Sequence, residues 1–502
     1  MNKLFYGDNL DILRDHKKIK DESVDLCYID PPFNSKRNYN QIYNNVGGED
    51  RAQAQIFIDT WTWDDLANIG FSEILANADA RFPSQLVELI KGLHGVLGNG
   101  SLLAYLISMS LRITEIQRVL KPNGSFYLHC DPTASHYLKL VLDAVFCSQG
   151  GEFQNELIWG YSIGGKSRKS FGRKHDVILF YTKGHSDDHT FNEKGASIPR
   201  KPNSHMRVTL DDDGRECQEK TDKKTGKVYR YYLDEGKIAE DYWTDIQSLN
   251  REDRERQGYP TQKPEALLER IIRTSTNEGD TVLDAYCGCG TTVVVAQKLK
   301  RKWIGIDITY ASISVVLRRL EPLGLDVLKN ISTDGVPRDI ESARALANKK
   351  DDRLRKEFEK WAVLAYTNNR ARINDKKGAD AGVDGVAYFL TSKNENAKII
   401  FQVKSGGVQR GDIAKLRGDM NREKAVLAVL LTLEEPSKNM VKEAKGAGQY
   451  THAVMGRDYN VISIVTAQEI VDGARLDIPM AVDVLKAAQS GESGDQQLDL
   501  GL

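Results

Sequence analysis

Five short apolar runs, separated by helix-length or longer stretches, constrain this chain more than any other feature; they fall at 24–29, 125–129, 177–181, 281–285 and 303–306. Runs of this length, rich in β-branched and aromatic residues, read as buried strands. Helix-like stretches at 102–120 and 265–274 lie between them. Such alternation predicts an α/β fold built on a mainly parallel, doubly wound sheet. The longest apolar run, 425–433, is far below the roughly 18–20 residues needed to cross a bilayer, so no membrane partner is expected. The first residues, MNKLFYGDNLDIL, have no apolar core and no small-residue cleavage site, which argues against a secretory signal. Cysteines at 27, 130, 147, 217, 287 and 289 have neither disulfide-framework nor zinc-ligand spacing, and a reducing cytoplasm is expected. Seventy basic against 71 acidic residues exclude a uniformly basic nucleic-acid binder but leave room for a local basic cleft.

Two constellations in the first two thirds of the chain carry chemistry. In TVLDAYCGCGTTVVVAQKL a strand leads through Gly288-x-Gly290 into a helix. Glycines at such a turn admit a ligand close to the backbone and leave a helix N-terminus facing it. Asp307 closes the next strand, where an acid can hold a ribose diol. On these grounds alone several adenosine-bearing cofactors fit. The second constellation is Asp30-Pro31-Pro32-Phe33, at the end of the strand VDLCYID. Two prolines remove two backbone donors, so the loop offers carbonyl acceptors and the Asp30 carboxylate. An exocyclic amine needs such acceptors, and Phe33 offers a face for a planar base taken out of a duplex.

Together these motifs resemble the amino-DNA methyltransferases that use S-adenosylmethionine. DPPF at 30–33 precedes the glycine motif at 284–292, which resembles the circularly permuted β-group order. Tyr6-Gly7-Asp8-Asn9, LKPNGSFYLHCDP at 120–132, HDVILFYTKG at 175–184 and YPTQKPEALLERII at 259–272 fit the same group in sequence, so the resemblance covers about 1–325. The group's glycine motif commonly reads D-P-F-x-G-S-G; here it is Asp284-Ala285-Tyr286-Cys287-Gly288-Cys289-Gly290. Both cysteines are expected to pack rather than to act as nucleophiles. The resemblance implies that Asp8, Asp284, Gly288, Gly290, Thr291 and Asp307 hold the cofactor, with Lys263 lining the same cleft. It implies that Asp30, Pro31, Pro32 and Phe33 receive the flipped base. DPPF goes mostly with adenine N6 in this group and SPP more often with cytosine N4, which favours N6-methyladenine; cytosine N4 is the alternative.

The segment 185–255 is rich in charged residues and turn sequences such as DDDG and DKKTGK, and reads as an inserted module. It falls where the group carries its target-recognition region. Ahead of it, Lys166, Arg168, Lys169, Arg173 and Lys174 form a basic loop suited to DNA phosphates. Trp61 and Trp63 are expected to pack in an added lobe at 34–100.

A second, smaller α/β pattern follows. The helix 353–366 carries Phe358, Trp361, Ala362 and Ala365 on one face, and strands are expected near 386–390, 398–404, 425–433 and 461–465. Asp384 sits in Gly382-Val383-Asp384-Gly385, and Gln402 and Lys404 share one face of a strand because its period is two. A carboxylate with a backbone carbonyl can ligate Mg²⁺, and a neighbouring lysine can orient or activate the attacking water. The pattern resembles the PD-(D/E)xK nuclease core in its Mrr-type variant. That resemblance implies Asp384 and Gln402 as metal ligands, Lys404 as the catalytic lysine and Glu359 as the helix acid. The expected domains are 1–330, a linker or connecting helices at 331–352, a nuclease-like domain at 353–485 and a flexible tail at 486–502. The expected protein is a site-specific adenine methyltransferase fused to a Mg²⁺-dependent endonuclease, acting on double-stranded DNA in a prokaryotic cytoplasm. Relatives of this group often dimerise, which makes a homodimer an expectation. A C-terminal domain that only binds DNA is the rival reading. No G-x-x-x-x-G-K-[ST] occurs, so no ATP-driven translocation is expected.

Overall fold

The computed structural model describes residues 2–32, 37–43, 52–59, 61, 63–162, 169, 171–172, 174–200, 206–250, 253–257, 261–348, 352–367, 370–374, 382–391, 396–452 and 455–478. Nine strands form the main sheet: β1 (Asn2–Tyr6), β2 (Val24–Ile29), β3 (Leu120–Cys130), β4 (Glu152–Gly160), β5 (His175–Thr182), β6 (Tyr242–Trp243), β7 (Thr281–Asp284), β8 (Lys302–Asp307) and β9 (Ile331–Asp334). Their spatial order is β6-β4-β5-β3-β2-β7-β8-β1-β9. Every neighbouring pair is parallel except the two that involve β5, which runs against β3 and β4. The central strands are apolar on both faces, as sheets covered by helices on both sides must be. The helix Ser101–Val119 is buried along most of its length and serves as one of these covers.

The α/β reading therefore holds for this part. Within 331–352, expected as a linker or connecting helices, Ile340–Ala347 is a helix, whereas Ile331–Asp334 is the sheet's edge strand beside β1. Within the inserted region, Arg207–Leu210, Glu216–Thr221 and Val228–Tyr232 form a separate antiparallel sheet with mostly exposed side chains. Trp61 packs edge-on against Tyr105, and Trp63 packs against Phe71, so both pack as expected.

A second sheet has β10 (Arg372–Ile373), β11 (Gly385–Leu390), β12 (Asn396–Lys404), β13 (Leu427–Thr432) and β14 (Ile462–Thr466) in sequential order. One face carries the helices Arg410–Arg422 and Lys438–Lys445 over Ile400, Ala428 and Leu430. The other face packs on the helix Asp352–Tyr366 through Phe401 and Ile399. That same apolar cluster contains Leu4, Tyr6, Tyr310 and Val316 of the first unit, so the two sheets share one core.

Candidate active site

Parallel strands deliver their C-terminal ends to one edge of a sheet. Asp8 follows β1, Asp30 follows β2, Asp284 closes β7 and Asp307 closes β8. Because β5 is reversed, its first residues, His175 and Asp176, reach this edge as well. The chain advances from β2 to β3 in one direction and from β7 to β8 in the other. Open α/β sheets bind ligands in the crevice at such a switch point.

On the β7–β8–β1 side the backbone turns are held by carboxylates. Asp307 Oδ2 accepts from the Gly288 N–H at 2.8 Å, and Oδ1 accepts from the Thr309 N–H and hydroxyl at 2.9 and 3.0 Å. Burial pushes the Asp307 carboxyl up to about 6, against the pull of these hydrogen bonds. Asp284 is also buried and accepts from the Tyr286 N–H at 3.0 Å; burial pushes it up to about 7. Two desolvated acids side by side form a site suited to hydroxyl and cationic donors. Asp8 caps the helix Asn9–Arg14 and pairs with Arg112 at 3.1 Å. Cys287 and Cys289 are buried packing residues, and Cys289 lies against Arg319 and Thr291.

Gly288 and Gly290 have φ of 51° and 75°, the left-handed region that glycine adopts most readily. A Cβ on Gly290 would meet Val316 Cγ2 at 2.6 Å. Gly290→Ala is therefore expected to destabilise the fold by about 1–3 kcal/mol, measured by urea unfolding, through both strain and overpacking. Unchanged stability would mean that the turn tolerates a side chain.

On the β2 side, the Lys263 ammonium meets Asp30 Oδ2 at 2.5 Å, with both side chains largely buried. Lys263 thus stands on the Asp30 side of the crevice. Asp30 Oδ1 is buried without a hydrogen-bond partner among the described residues. Behind it runs a chain that links residues far apart in sequence. The Tyr28 hydroxyl meets His129 Nδ1 at 2.9 Å, His129 Nε2 meets Asp176 Oδ2 at 3.0 Å, and the Tyr161 hydroxyl donates to Asp176 Oδ1 at 3.1 Å. Burial works against the Asp176 carboxylate, but its hydrogen bond to His129 and the charges of His129 and Lys263 hold it below the usual range. Sequence reasoning missed this chain: its members come from three strands and from the residue that follows β4, and no local pattern pairs them.

Of the remaining expected residues, Pro31 is buried beside Asp30, whereas Phe33 lies outside the described residues. Thr291 opens the helix Thr291–Lys298 and accepts from Arg319 at 3.1 Å. Lys166, Arg168 and Arg173 lie outside the described residues. Lys169 is exposed, and the Lys174 ammonium donates to the Ser162 carbonyl at 2.9 Å.

The second sheet brings Asp384, Gln402 and Lys404 together. The Asp384 N–H donates to the Phe401 carbonyl at 2.8 Å, and its Oδ2 accepts from the Val403 N–H at 2.7 Å. The Gln402 amide donates to the Gly382 carbonyl at 2.7 Å, which leaves Oε1 buried and without a partner among the described residues. Lys404 pairs with Asp412 at 3.3 Å. Burial pushes Asp384 up to about 6, partly offset by the Val403 N–H and by the charges of Lys404 and Lys356. Glu359 is half-buried on the helix Asp352–Tyr366, whereas Glu357 on that helix is fully buried. Among the described residues no three His, Cys, Asp or Glu side chains gather as a metal cluster, so a cation here would rest on Asp384 and the Gln402 carbonyl.

A family model described as DNA methylase matches residues 24–316, more than half of the chain. A second, described as NACHT-associated inactive restriction endonuclease 1, matches residues 354–472. The chain is 29% identical over 318 residues to the DNA adenine methyltransferase YhdJ of Escherichia coli (strain K12), covering 62% of this chain and 81% of that relative. It is 30% identical over 217 residues to the type II methyltransferase M1.MboII of Moraxella bovis, covering 42% and 78%. A solved structure of the cytosine-N4-specific PvuII DNA methyltransferase covers 66% of this chain and 90% of its own, at 15% identity and a TM-score of 0.39.

Proposed function

The chain belongs to the N6/N4 DNA methylase family, and from that premise we propose that it transfers a methyl group from S-adenosylmethionine to adenine N6 of a flipped base in duplex DNA. The observation that carries this reading is Asp30: one carboxylate oxygen is fixed by Lys263, and the other is buried with no partner among the described residues. A buried acceptor left open is costly unless a donor arrives, and an exocyclic amine brings two. The motif order, with Asp30-Pro31-Pro32 ahead of the glycine turn, supports the permuted β-group arrangement.

S-Adenosylmethionine, when bound, supplies the electrophilic methyl group. The chain supplies position and charge. Asp307 and Asp284 offer acceptors at the β7–β8 edge, and the Gly288–Gly290 turn lets the backbone approach. Asp30 Oδ1 accepts an N–H of the target amine and directs its lone pair, while Lys263 keeps the carboxylate from rotating away. The amine loses one proton in the reaction, and Asp30 Oδ1 is the atom placed to receive it. Catalysis of this kind rests on orientation and preorganised electrostatics. YhdJ is described as an adenine methyltransferase, which supports adenine over cytosine as the target. The exposed three-stranded sheet at 207–232, where Arg215 stacks on Tyr232, is proposed to read the target sequence.

For the C-terminal unit we propose an Mrr-type, Mg²⁺-dependent nuclease. Asp384 and the open Gln402 Oε1 suit a hard cation that completes its shell with water and phosphate. The second reading, a unit that binds DNA without cutting it, is favoured by the word inactive in the matching family description and by the pairing of Lys404 with Asp412. Incubation with unmethylated phage DNA and Mg²⁺ separates the two. Discrete fragments that vanish in Asp384→Ala and Lys404→Ala are expected for a nuclease. Intact DNA with retained DNA binding would establish the second reading.

A further inference from the structure

One buried acid reaches the cofactor edge from the other unit. Glu357 lies on the helix Asp352–Tyr366 and is 6% exposed. Its Oε2 accepts from the backbone N–H of Tyr310 at 2.9 Å and from the Tyr6 hydroxyl at 3.3 Å. Its Oε1 pairs with Lys360 at 2.9 Å.

Both partners stand on the turns that hold the cofactor edge. Tyr6 ends β1, and the next residue, Gly7, donates its N–H to the Asp307 carbonyl at 2.9 Å. Tyr310 opens the helix Tyr310–Leu320 directly after Thr309, the residue that holds Asp307 Oδ1. The Tyr6 and Tyr310 rings meet edge to face at 5.9 Å. A first-turn N–H has no partner inside its own helix, and a carboxylate there also suits the helix dipole. The Asp307 turn is thus completed from outside the segment that the methylase family model matches. On the same helix, Lys356 lies close enough to Asp384 for its charge to act on that carboxylate. One turn of one helix therefore addresses both sites.

We propose that Glu357 is a positioning residue for the methylase's cofactor pocket, contributed by the C-terminal unit: it fixes the Tyr6–Asp8 and Asp307–Tyr310 turns on which cofactor affinity depends. The inference rests on the reading of this edge as the S-adenosylmethionine site. It makes the C-terminal unit a working part of the methylase, and reciprocity then requires cofactor binding to bias that unit in return.

The test uses the full chain, with S-adenosylmethionine titrated by calorimetry and KM measured separately for cofactor and DNA. If the unaltered protein does not bind the cofactor, the functional reading falls and this inference falls with it. If it binds, Glu357→Ala is expected to weaken the cofactor Kd about tenfold and to raise its KM, with KM for DNA unchanged. Glu357→Gln keeps an acceptor for the Tyr310 N–H and should recover part of the loss. Tyr6→Phe removes only the weaker contact and should show the smallest effect. Should the alanine variant fail to fold, the other two decide. Wild-type affinity in both overturns the proposal, as does a loss spread equally over cofactor and DNA.

Discussion

Asp30→Ala is expected to lower kcat for methyl transfer by about 10³-fold while cofactor affinity stays within a few fold, because a preorganised acceptor at the reacting group contributes on that scale. Asp30 belongs to the β2 side of the crevice and pairs with Lys263, whereas Asp307 holds its turn through Gly288 and Thr309. The alanine change also removes the Asp30 carboxylate from the Lys263 ammonium, whose side chain is only 10% exposed. Loss of one partner from a buried pair can destabilise the fold by about 3–5 kcal/mol. Asp30→Asn separates the two effects, since it fills the same space and retains an acceptor for Lys263. It should keep near-native melting and still lose most activity, because the amide cannot supply a carboxylate to the amine. Single-turnover rates and a thermal melt on the same preparation check this. An Asp30→Asn enzyme with native kcat would remove Asp30 from the reaction.

The second large effect is expected at Asp307. Asp307→Ala deletes the acceptor for the Gly288 N–H, the Thr309 N–H and the Thr309 hydroxyl at once. Cofactor affinity should fall about 100-fold or more, since hydrogen bonds to charged groups contribute roughly 1.5–3 kcal/mol each. A pH signature accompanies it. Burial raises the folded-state carboxyl from 3.8 to about 6, so the protonated form is favoured in the cofactor-free protein across that interval. The stability gained from that preference is complete below 3.8 and is lost as pH rises through about 6. Cofactor hydroxyls need the ionised form as their acceptor. The Asp307 contribution to affinity should therefore rise with pH up to about 6 and then level off, with a slope of at most about tenfold per pH unit below it. Asp307→Asn should flatten that profile at weaker affinity. A wild-type Kd independent of pH between 5 and 7 would mean that Asp307 does not meet the cofactor as an anion.

How much of this was legible in the sequence follows from whether a feature is local. The strands at 24–29, 125–129, 177–181, 281–285 and 303–306 were legible because each is a compact apolar run, and all five occur in the main sheet. Asp30, Asp284 and Asp307 were legible because each ends such a run, and strand ends converge at one edge. Ile331–Asp334 was not: three of its four residues are polar, and only its pairing with β1 makes it a strand. The chain from Tyr28 through His129 and Asp176 to Tyr161 was hidden for another reason. It depends on the reversed direction of β5, and sequence patterning alone does not give strand direction. In the second unit, the acid singled out on the helix was Glu359, while the buried acid is Glu357. A signal for Glu357 was present, since it stands beside Phe358 and four residues ahead of Trp361, on the apolar stripe. An acid on that stripe has to find donors; that those donors are Tyr6 and Tyr310 was visible only once both units were folded together.

The most direct test is nucleoside mass spectrometry of unmethylated duplex DNA after incubation with the purified protein and S-adenosylmethionine. The expected product is N6-methyladenine, absent when Asp30→Ala replaces the wild type. N4-methylcytosine in its place, or unmodified DNA from a chain that binds the cofactor, would contradict the assignment.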